Sequence, residues 1–597
     1  MSTQTVCDIF YRSVETYRKP EHLKHKRDGA WRAISSDELR AAVEEISMGL
    51  RGLGVEKGDR VAILSENRPE WAFADLATLC AGAVDVPVYA TLTPPQVEYV
   101  LNDSEAKVAF VSTPAQAAKV AEVRPRSSHL RHVVSFEEPA PAGTMPLGEL
   151  RARGREALAK EPEAVRRREA EVTKDDLATL IYTSGTTGDP KGVMLTHGNL
   201  AHNIVAAEKV FPEVDHTWTC LSFLPLCHSF ERTAGHNFML YKGVTIAYAE
   251  SVEKVPENMA EVRPHIMCSV PRLYEKMYAR VNEKVASDPA ARQKIFRWAI
   301  GVGREVFAHT VARTQPGPFL KAKFAIADKL VFSKIKARTG GRLRLFISGG
   351  APLAREIAEF FGAAGMLICE GYGLSETSPV ITCNRPGAVR PGTVGLPLEH
   401  VEVKVAADGE ILTRGPHVMK GYFKKPEATA EAIDEDGWFH TGDIGFVDPE
   451  GCLVITDRKK DIIVTSGGKN IAPQPIENRL KTSKFLAEVV MIGNKRNFAA
   501  ALLVPSFEAL EAWAKEHGVA AAPREELVRR PEVVAHYQRL VDEMTADLAQ
   551  FEKIKKIALL TKEFTQESGE LTPTLKVKRR VVEERYKGLI DAMYEGV

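Results

Sequence analysis

The sequence shows no excess of charge of either sign. Its 80 Lys and Arg against 79 Asp and Glu leave a net +1, so no overall field draws it toward nucleic acid or an acidic partner. Its eight cysteines (Cys7, Cys80, Cys220, Cys227, Cys268, Cys369, Cys383 and Cys452) never form a CxxC pair, which argues against a zinc ribbon or a disulfide scaffold. No basic run leads into an apolar core at the start, so no signal peptide is expected. Apolar stretches are short. The run from Leu76 to Leu92 is broken by Asp85 and Pro87, below the ~18 residues of a spanning helix. Glycine (43) and proline (34) stand near ordinary levels, which excludes collagen-like and low-complexity classes. No internal repeat of about 20–50 residues is visible.

What is present is ordinary globular material in quantity. The chain has 597 residues, 44% hydrophobic and 27% charged, enough for about three to five domains or subdomains. The expectation is a soluble cytoplasmic multidomain enzyme. Strand and helix patterns alternate over the first 150 residues: Arg60 to Leu64, Val84 to Val88 and Val108 to Val111 read as strands, and Trp71 to Ala83 as a helix. Ser35-Ser36-Asp37-Glu38 reads as a helix start, with Gly54 as its stop. Such alternation predicts a parallel sheet with crossover helices. The mixed-charge stretch 150–175 reads as a solvated helix or connector.

A second alternating block runs from about 177 to 380, with strands at Leu177–Tyr182, Val244–Ala247 and Arg344–Ile347. The pattern is helical and basic between 282 and 340. From about 392, short runs separated by turn signals such as Asp408-Gly409 predict a small β-rich subdomain. The predicted fold is α/β. A large domain (1–456) would comprise subdomains of about 1–175, 176–391 and 392–456. A hinge at 457–461 and a small α+β domain (462–597) would follow.

The strongest local signal is Tyr182-Thr183-Ser184-Gly185-Thr186-Thr187-Gly188-Asp189-Pro190-Lys191-Gly192, directly after a buried strand. Its glycines permit close approach, its hydroxyls and backbone N–H groups can donate to phosphate oxygens, and Lys191 adds charge. It is not a Walker A loop, because Gly192 follows Lys191 where that pattern needs Ser or Thr. In Tyr372-Gly373-Leu374-Ser375-Glu376 a flat ring precedes a turn and a carboxylate, a pairing that suits a base and Mg²⁺. Asp443, after Thr441-Gly442, reads either as an acceptor for sugar hydroxyls or as a turn aspartate. Cys227 and His228 adjoin in a run read as extended, which would point them to opposite faces and disfavour a Cys–His dyad.

The 182–192 run resembles the signature of the adenylate-forming enzymes (acyl-CoA synthetases, luciferases and peptide-synthetase adenylation domains). Further motifs follow in that family's order: Ser348-Gly349-Gly350-Ala351-Pro352-Leu353, Glu370 to Thr377, Trp438 to Asp443, Asp457-Arg458-Lys459-Lys460-Asp461 and Pro573 to Arg580. Asn67-Arg68-Pro69-Glu70-Trp71, Val86-Pro87-Val88-Tyr89 and a ~60-residue helical insert after Pro271 look like the long-chain acyl-CoA synthetase branch.

The resemblance implies ATP, Mg²⁺ and CoA as cofactor and co-substrates, with a long-chain fatty acid as the acid. It implies phosphate contacts from Thr183, Ser184, Gly185, Thr186, Thr187, Gly188, Lys191 and Thr377. Gly349, Gly350, Ala351, Gly371, Tyr372 and Gly373 would line the nucleotide, with Tyr372 stacked on adenine. Asp443 and Arg458 would hold the ribose. Glu376 would bind the metal. Lys576 would stabilise the reacting charges, with Lys578, two residues on, the competing candidate; Leu575 stands where the family has glycine, a departure that bears on the local backbone. Asp457 and Lys459 would form the hinge. His228, Gly467 and Gly468 would border the acyl pocket and CoA channel.

Two other readings compete: a fatty acyl-AMP ligase that loads a carrier protein, and a non-catalytic nucleotide-binding homologue. Basic stretches such as Lys334 to Arg344 suit either anionic headgroups at a membrane periphery or plain solvent.

Overall fold

The computed structural model describes residues 3–183, 189–565, 568–572 and 577–595. Two large sheets dominate. The first has eight strands in the order Gly421–Tyr422, Lys191–Thr196, Leu177–Thr183, Val84–Val88, Arg60–Leu64, Val108–Val111, His132–Ser135 and Met145–Pro146. The second has nine: Leu396–Pro397, Val380–Cys383, Leu367–Gly373, Leu345–Ser348, Ile266–Ser269, Thr219–Ser222, Thr245–Tyr248, Leu23–Arg27 and Ala30–Ile34. Val84–Val88, Ile266–Ser269 and Leu345–Ser348 are buried at every position, as parallel strands covered on both faces must be.

The expected cut at 175/176 is corrected by strand pairing. Leu177–Thr183 joins the first block, pairing with Val84–Val88 through Asp85 and Thr179. Leu23–Arg27 leaves that block and pairs in parallel with Thr245–Tyr248. One core of buried side chains runs between the sheets, so each sheet takes the strand that completes its cover, whatever its place in the chain.

The helix Ser36–Gly52 starts as the sequence predicts, on a reciprocal cap. Glu38 N–H donates to Ser35 Oγ at 3.2 Å, and Ser35 N–H to Glu38 Oε2 at 2.7 Å. The mixed-charge stretch is more than a solvated connector. Its helix Leu147–Lys160 packs on Ser36–Gly52, where a Cβ on Gly154 would lie 1.7 Å from the Glu45 carbonyl. Arg151 and Arg155 then clasp the Glu45 carboxylate at 2.7 and 2.8 Å. The contact explains the glycine, and the ion pairs explain the charges.

A four-stranded antiparallel sheet, Glu402–Val405, Glu410–Arg414, Phe439–Val447 and Leu453–Arg458, forms the β-rich unit expected from residue 392 onward. Beyond it the strands Leu486–Ile492, Ala499–Pro505 and Ile554–Leu559 make a separate small sheet with its own cores. The insert after Pro271 is helical: Pro271–Ala286, Ala290–Val311 and Pro318–Ala327. Among the described residues no helix is long and apolar enough to cross a membrane.

Candidate active site

Between the large sheets and the small domain lies a cavity of about 1570 Å³. Thr183 and Lys191 pair across neighbouring antiparallel strands and both line it. Ser184, Gly185, Thr186, Thr187 and Gly188 lie outside the described residues. Gly349, Gly350, Gly371, Tyr372 and Gly373 all line the cavity, whereas Ala351 is exposed and does not.

Tyr372 is buried at the end of strand Leu367–Gly373, and its hydroxyl donates to Asp443 Oδ2 at 2.7 Å. Burial pushes that phenol well above its ordinary pKa. The other Asp443 oxygen accepts from Arg458 Nε at 3.0 Å. Two carboxylate oxygens offer about four acceptor positions, so Asp443 keeps capacity for further hydroxyl donors. The ladder slips by one residue between Tyr372 and Gly373, and a Cβ on Gly373 would lie 1.7 Å from the Pro379 carbonyl. Only glycine fits this turn.

Glu376 lines the cavity, and its Oε1 accepts from the Tyr422 hydroxyl at 2.9 Å. Lys191 Nζ lies 4.8 Å from the centre of the Tyr422 ring. Strand Gly421–Tyr422 pairs with Met194 and Val193, which brings three distant segments together. Tyr422 was missed in the sequence; its only local signal is an aromatic after a glycine.

Thr377 departs from expectation. Its side chain is fully buried, and its hydroxyl donates to the Pro379 carbonyl at 2.6 Å and accepts from Leu374 N–H at 2.9 Å. It closes the turn and stays out of the cavity lining. Ser375, two residues earlier, lines the cavity in its place.

His228 lines the cavity, and its Nδ1 accepts from Phe230 N–H at 3.2 Å. The adjoining Cys227 is buried, and burial raises its thiol far above the ordinary range. The pair sits in a turn, not a strand, so the expected reason against a dyad was wrong. The inert thiol is the better one.

The far end of the cavity is apolar. Ile204, Ala207 and Val210 face it from helix His197–Val210, beside Phe211. Phe230, Ala234 and Phe238 face it from and around a π-helical turn, Glu231–Asn237. That turn rests on buried ions. Arg232 pairs with Asp75 and, at 3.1 Å, with Asp85, all essentially without solvent exposure. Neighbouring Glu231 accepts from Ser222 Oγ at 2.6 Å, and burial pushes its carboxyl up to about 8. None of these residues was a site candidate in the sequence.

The small domain closes the remaining side with Phe564, Thr565, Gly569, Leu571, Thr572 and Lys578. Lys576 lies outside the described residues. Asp457 is buried at the junction. Its Oδ2 accepts from Gln474 N–H at 3.1 Å, and desolvation raises its carboxyl to about 6. Lys459 Nζ is held by Asp408 at 2.7 Å and Glu410 at 2.9 Å. Arg272 Nη1 donates to the Ala487 carbonyl at 2.6 Å across the domains. Gly467 and Gly468 sit exposed in the turn between Ile463–Val464 and Asn470–Ile471, outside the cavity lining.

A family model described as "AMP-binding enzyme" matches residues 10–423, and one described as "AMP-binding enzyme C-terminal domain" matches 460–597. The chain is 38% identical over 579 residues to the long-chain-fatty-acid–CoA ligase FadD15 of Mycobacterium tuberculosis, covering 96% of this chain and 95% of that one. It is 34% identical to the peroxisomal long chain acyl-CoA synthetase 7 of Arabidopsis thaliana, over 99% and 86% of the two chains. Its fold is similar to that of the anthranilate CoA ligase AuaEII with anthranoyl-AMP, at a TM-score of 0.75 and 20% identity over 99% of each chain. ATP-bound MatB from Rhodopseudomonas palustris gives 0.71 at 24%, over 98% and 99%.

Proposed function

The chain belongs to the AMP-binding enzyme family, and on that premise we propose that it is a long-chain fatty acid–CoA ligase. It converts ATP, a fatty acid and CoA to acyl-CoA, AMP and diphosphate through an acyl-adenylate. The observation that carries this reading is one cavity that joins a polar end at Tyr372, Glu376 and Arg458, with Asp443 bonded behind Tyr372 and Arg458, to an apolar end at Val210, Phe211 and Phe238. That combination suits a nucleotide held beside an alkyl chain.

The chemistry asks for no protein nucleophile. A fatty carboxylate is already ionised at neutral pH, so it attacks the α-phosphorus directly and diphosphate leaves. The chain's work is positioning and charge stabilisation. The glycine backbone and the Tyr372 ring hold the base. Asp443, oriented by Tyr372 and Arg458, accepts the ribose hydroxyls. Thr183, Lys191, Ser375 and the intervening loop take the phosphates, and Lys576 reaches in from the small domain. Among the described residues no cluster of three or more acidic, His or Cys side chains could enclose a metal. A lone Glu376 beside the phosphate end still fits Mg²⁺, which binds through one or two carboxylates plus substrate phosphates. When bound there, Mg²⁺ would supply charge neutralisation on the phosphates.

The acyl-adenylate is a mixed anhydride open to water, so closure by the small domain protects it. The 457–461 run has a foot in each domain, Lys459 on Asp408 and Glu410, and Asp457 on Gln474. Rotation about it would release the Asp457 contact, withdraw Lys576, and carry the Gly467–Gly468 turn toward the cavity as a channel for CoA. Fatty acids partition into bilayers, so peripheral membrane contact is part of this reading.

The test is product analysis with ATP, Mg²⁺, CoA and carboxylates from acetate to long-chain acids. Acyl-CoA plus AMP, greatest with long chains, is expected. Acyl-AMP without acyl-CoA would assign a carrier-protein ligase instead. No AMP with any acid would leave only nucleotide binding.

A further inference from the structure

The basic charge of this chain is not spread evenly. Residues 290–338 carry eleven Lys and Arg against two acids, Glu305 and Asp328, in a chain whose net charge is +1. Asp328 is already engaged by Lys336 at 2.7 Å. These residues form most of the helical insert, whose inner side packs on helix Arg355–Ala363 through Val302, Phe332 and neighbours.

The outer side is apolar as well as basic. Five of the eleven exposed large hydrophobics among the described residues lie here: Ile295, Trp298, Phe319 (74% exposed), Ile326 (54%) and Leu330. Phe319 and Ile326, seven apart on helix Pro318–Ala327, share one face, and Leu330 follows in the π-helical turn Asp328–Phe332. Lys323 joins that face, its Nζ 4.5 Å from the centre of the Phe319 ring. Lys321 and Lys329 are exposed beside it.

We propose that this face of the insert docks on the surface of an anionic lipid bilayer. Phe319, Ile326 and Leu330 enter the boundary between headgroups and acyl chains, and the surrounding lysines meet lipid phosphates. A basic helix with large apolar side chains on the same face is the chemistry of interfacial binding, and lysine stems extend easily from apolar depth to the headgroups. Protein interfaces are depleted in lysine. Single-stranded nucleic acid calls for flat stacking rings, which Ile295, Ile326 and Leu330 do not offer. The proposal deepens the ligase reading, since that substrate resides in membranes, but the contact itself needs no turnover.

The test is co-sedimentation of the full chain with neutral phosphatidylcholine vesicles and with vesicles containing about a third phosphatidylglycerol, at low and physiological salt. Binding at least about ten-fold stronger to the anionic vesicles, weakened by salt, is expected. Each surface cation strengthens partitioning about five-fold. The triple variant Lys321→Glu/Lys323→Glu/Lys329→Glu should therefore lose about 10²-fold or more. Phe319→Ser/Ile326→Ser/Leu330→Ser should also release the protein. Both should keep wild-type turnover of a water-soluble medium-chain acid, which shows that they fold. Vesicle binding by a protein that makes no acyl-CoA would sink the ligase reading and leave this one standing. Wild-type protein that ignores anionic vesicles, variants that bind as well as wild type, or a variant-sensitive self-association without vesicle binding would each overturn it.

Discussion

The two ends of the central cavity are built by opposite means. At the polar end, side chains hold one another in place: Tyr372 on Asp443, Asp443 on Arg458, Tyr422 on Glu376. At the apolar end the wall is a set of apolar side chains from and around helix His197–Val210 and the π-helical turn Glu231–Asn237, with buried ions beneath. Hydrogen bonds demand particular atoms in particular directions. Apolar contacts demand volume, and several residues can supply the same volume. The polar end is therefore a set of short fixed runs, while the apolar end draws on scattered positions that announce nothing singly.

That contrast can be broken at either end. The largest effect is expected under the acyl wall. Arg232→Met leaves Asp75 and Asp85 as buried unpaired carboxylates and should cost about 3–5 kcal/mol of stability. Denaturant unfolding that shows no loss would mean the ions do not support the turn. Next is the polar end. Lys576→Ala should slow adenylation by about 10²–10³-fold and thioester formation from supplied acyl-adenylate far less. Equal losses in the two half-reactions would remove Lys576 from its role. Filling the apolar end with Ala234→Phe should displace three or four methylenes of the longest acids. At about 0.8 kcal/mol each, that lowers their kcat/KM by about 10²-fold. The affinity for ATP should not move; if it does, the two ends are not separable.

A smaller effect is expected from Tyr422→Phe, which removes the hydrogen bond orienting Glu376. The Mg²⁺ needed for half-maximal rate should rise about ten-fold, and Glu376→Ala should raise it further. A flat metal titration in both variants would take the metal away from Glu376. The smallest concerns the hinge that serves both ends. Asp457 is raised to about 6 in this arrangement, chiefly by desolvation, with Arg579 opposing and Glu477 adding to the rise. Because its pKa lies above the ordinary 3.8, protonation favours this arrangement. The gain is full below about pH 4 and is lost as pH rises through about 6. At pH 5.5 the balance should tilt about four-fold toward adenylation relative to pH 8, and Asp457→Asn should abolish the tilt. A half-reaction ratio that changes with pH equally in both proteins would assign the dependence elsewhere.

Much of the polar end was legible beforehand. Gly349, Gly350, Gly371, Tyr372, Gly373, Glu376, Asp443, Arg458 and His228 all proved to lie at the cavity or to touch its lining. Thr377 misled because a hydroxyl beside a carboxylate looks alike whether it faces phosphate or closes a turn. Burial decided for the turn, and Ser375 took the place at the cavity. Tyr422 and the Arg232–Asp75–Asp85 group were invisible for a different reason. Each joins segments far apart in the chain, and nothing in any one segment refers to its partners.

The sequence by itself determined the alternation of strands and helices, the helix start at Ser35 to Glu38, the β-rich unit after 392 and the identity of the polar motifs. All of these are local: they follow from backbone propensity, periodicity and residues within a few positions of one another. Only the tertiary structure decided which sheet took Leu23–Arg27 and which took Leu177–Thr183, which hydroxyl reached the cavity, and which apolar residues enclosed its far end. Those choices rest on burial and on pairing between distant segments, and burial is a property of the assembled surfaces rather than of any stretch of chain.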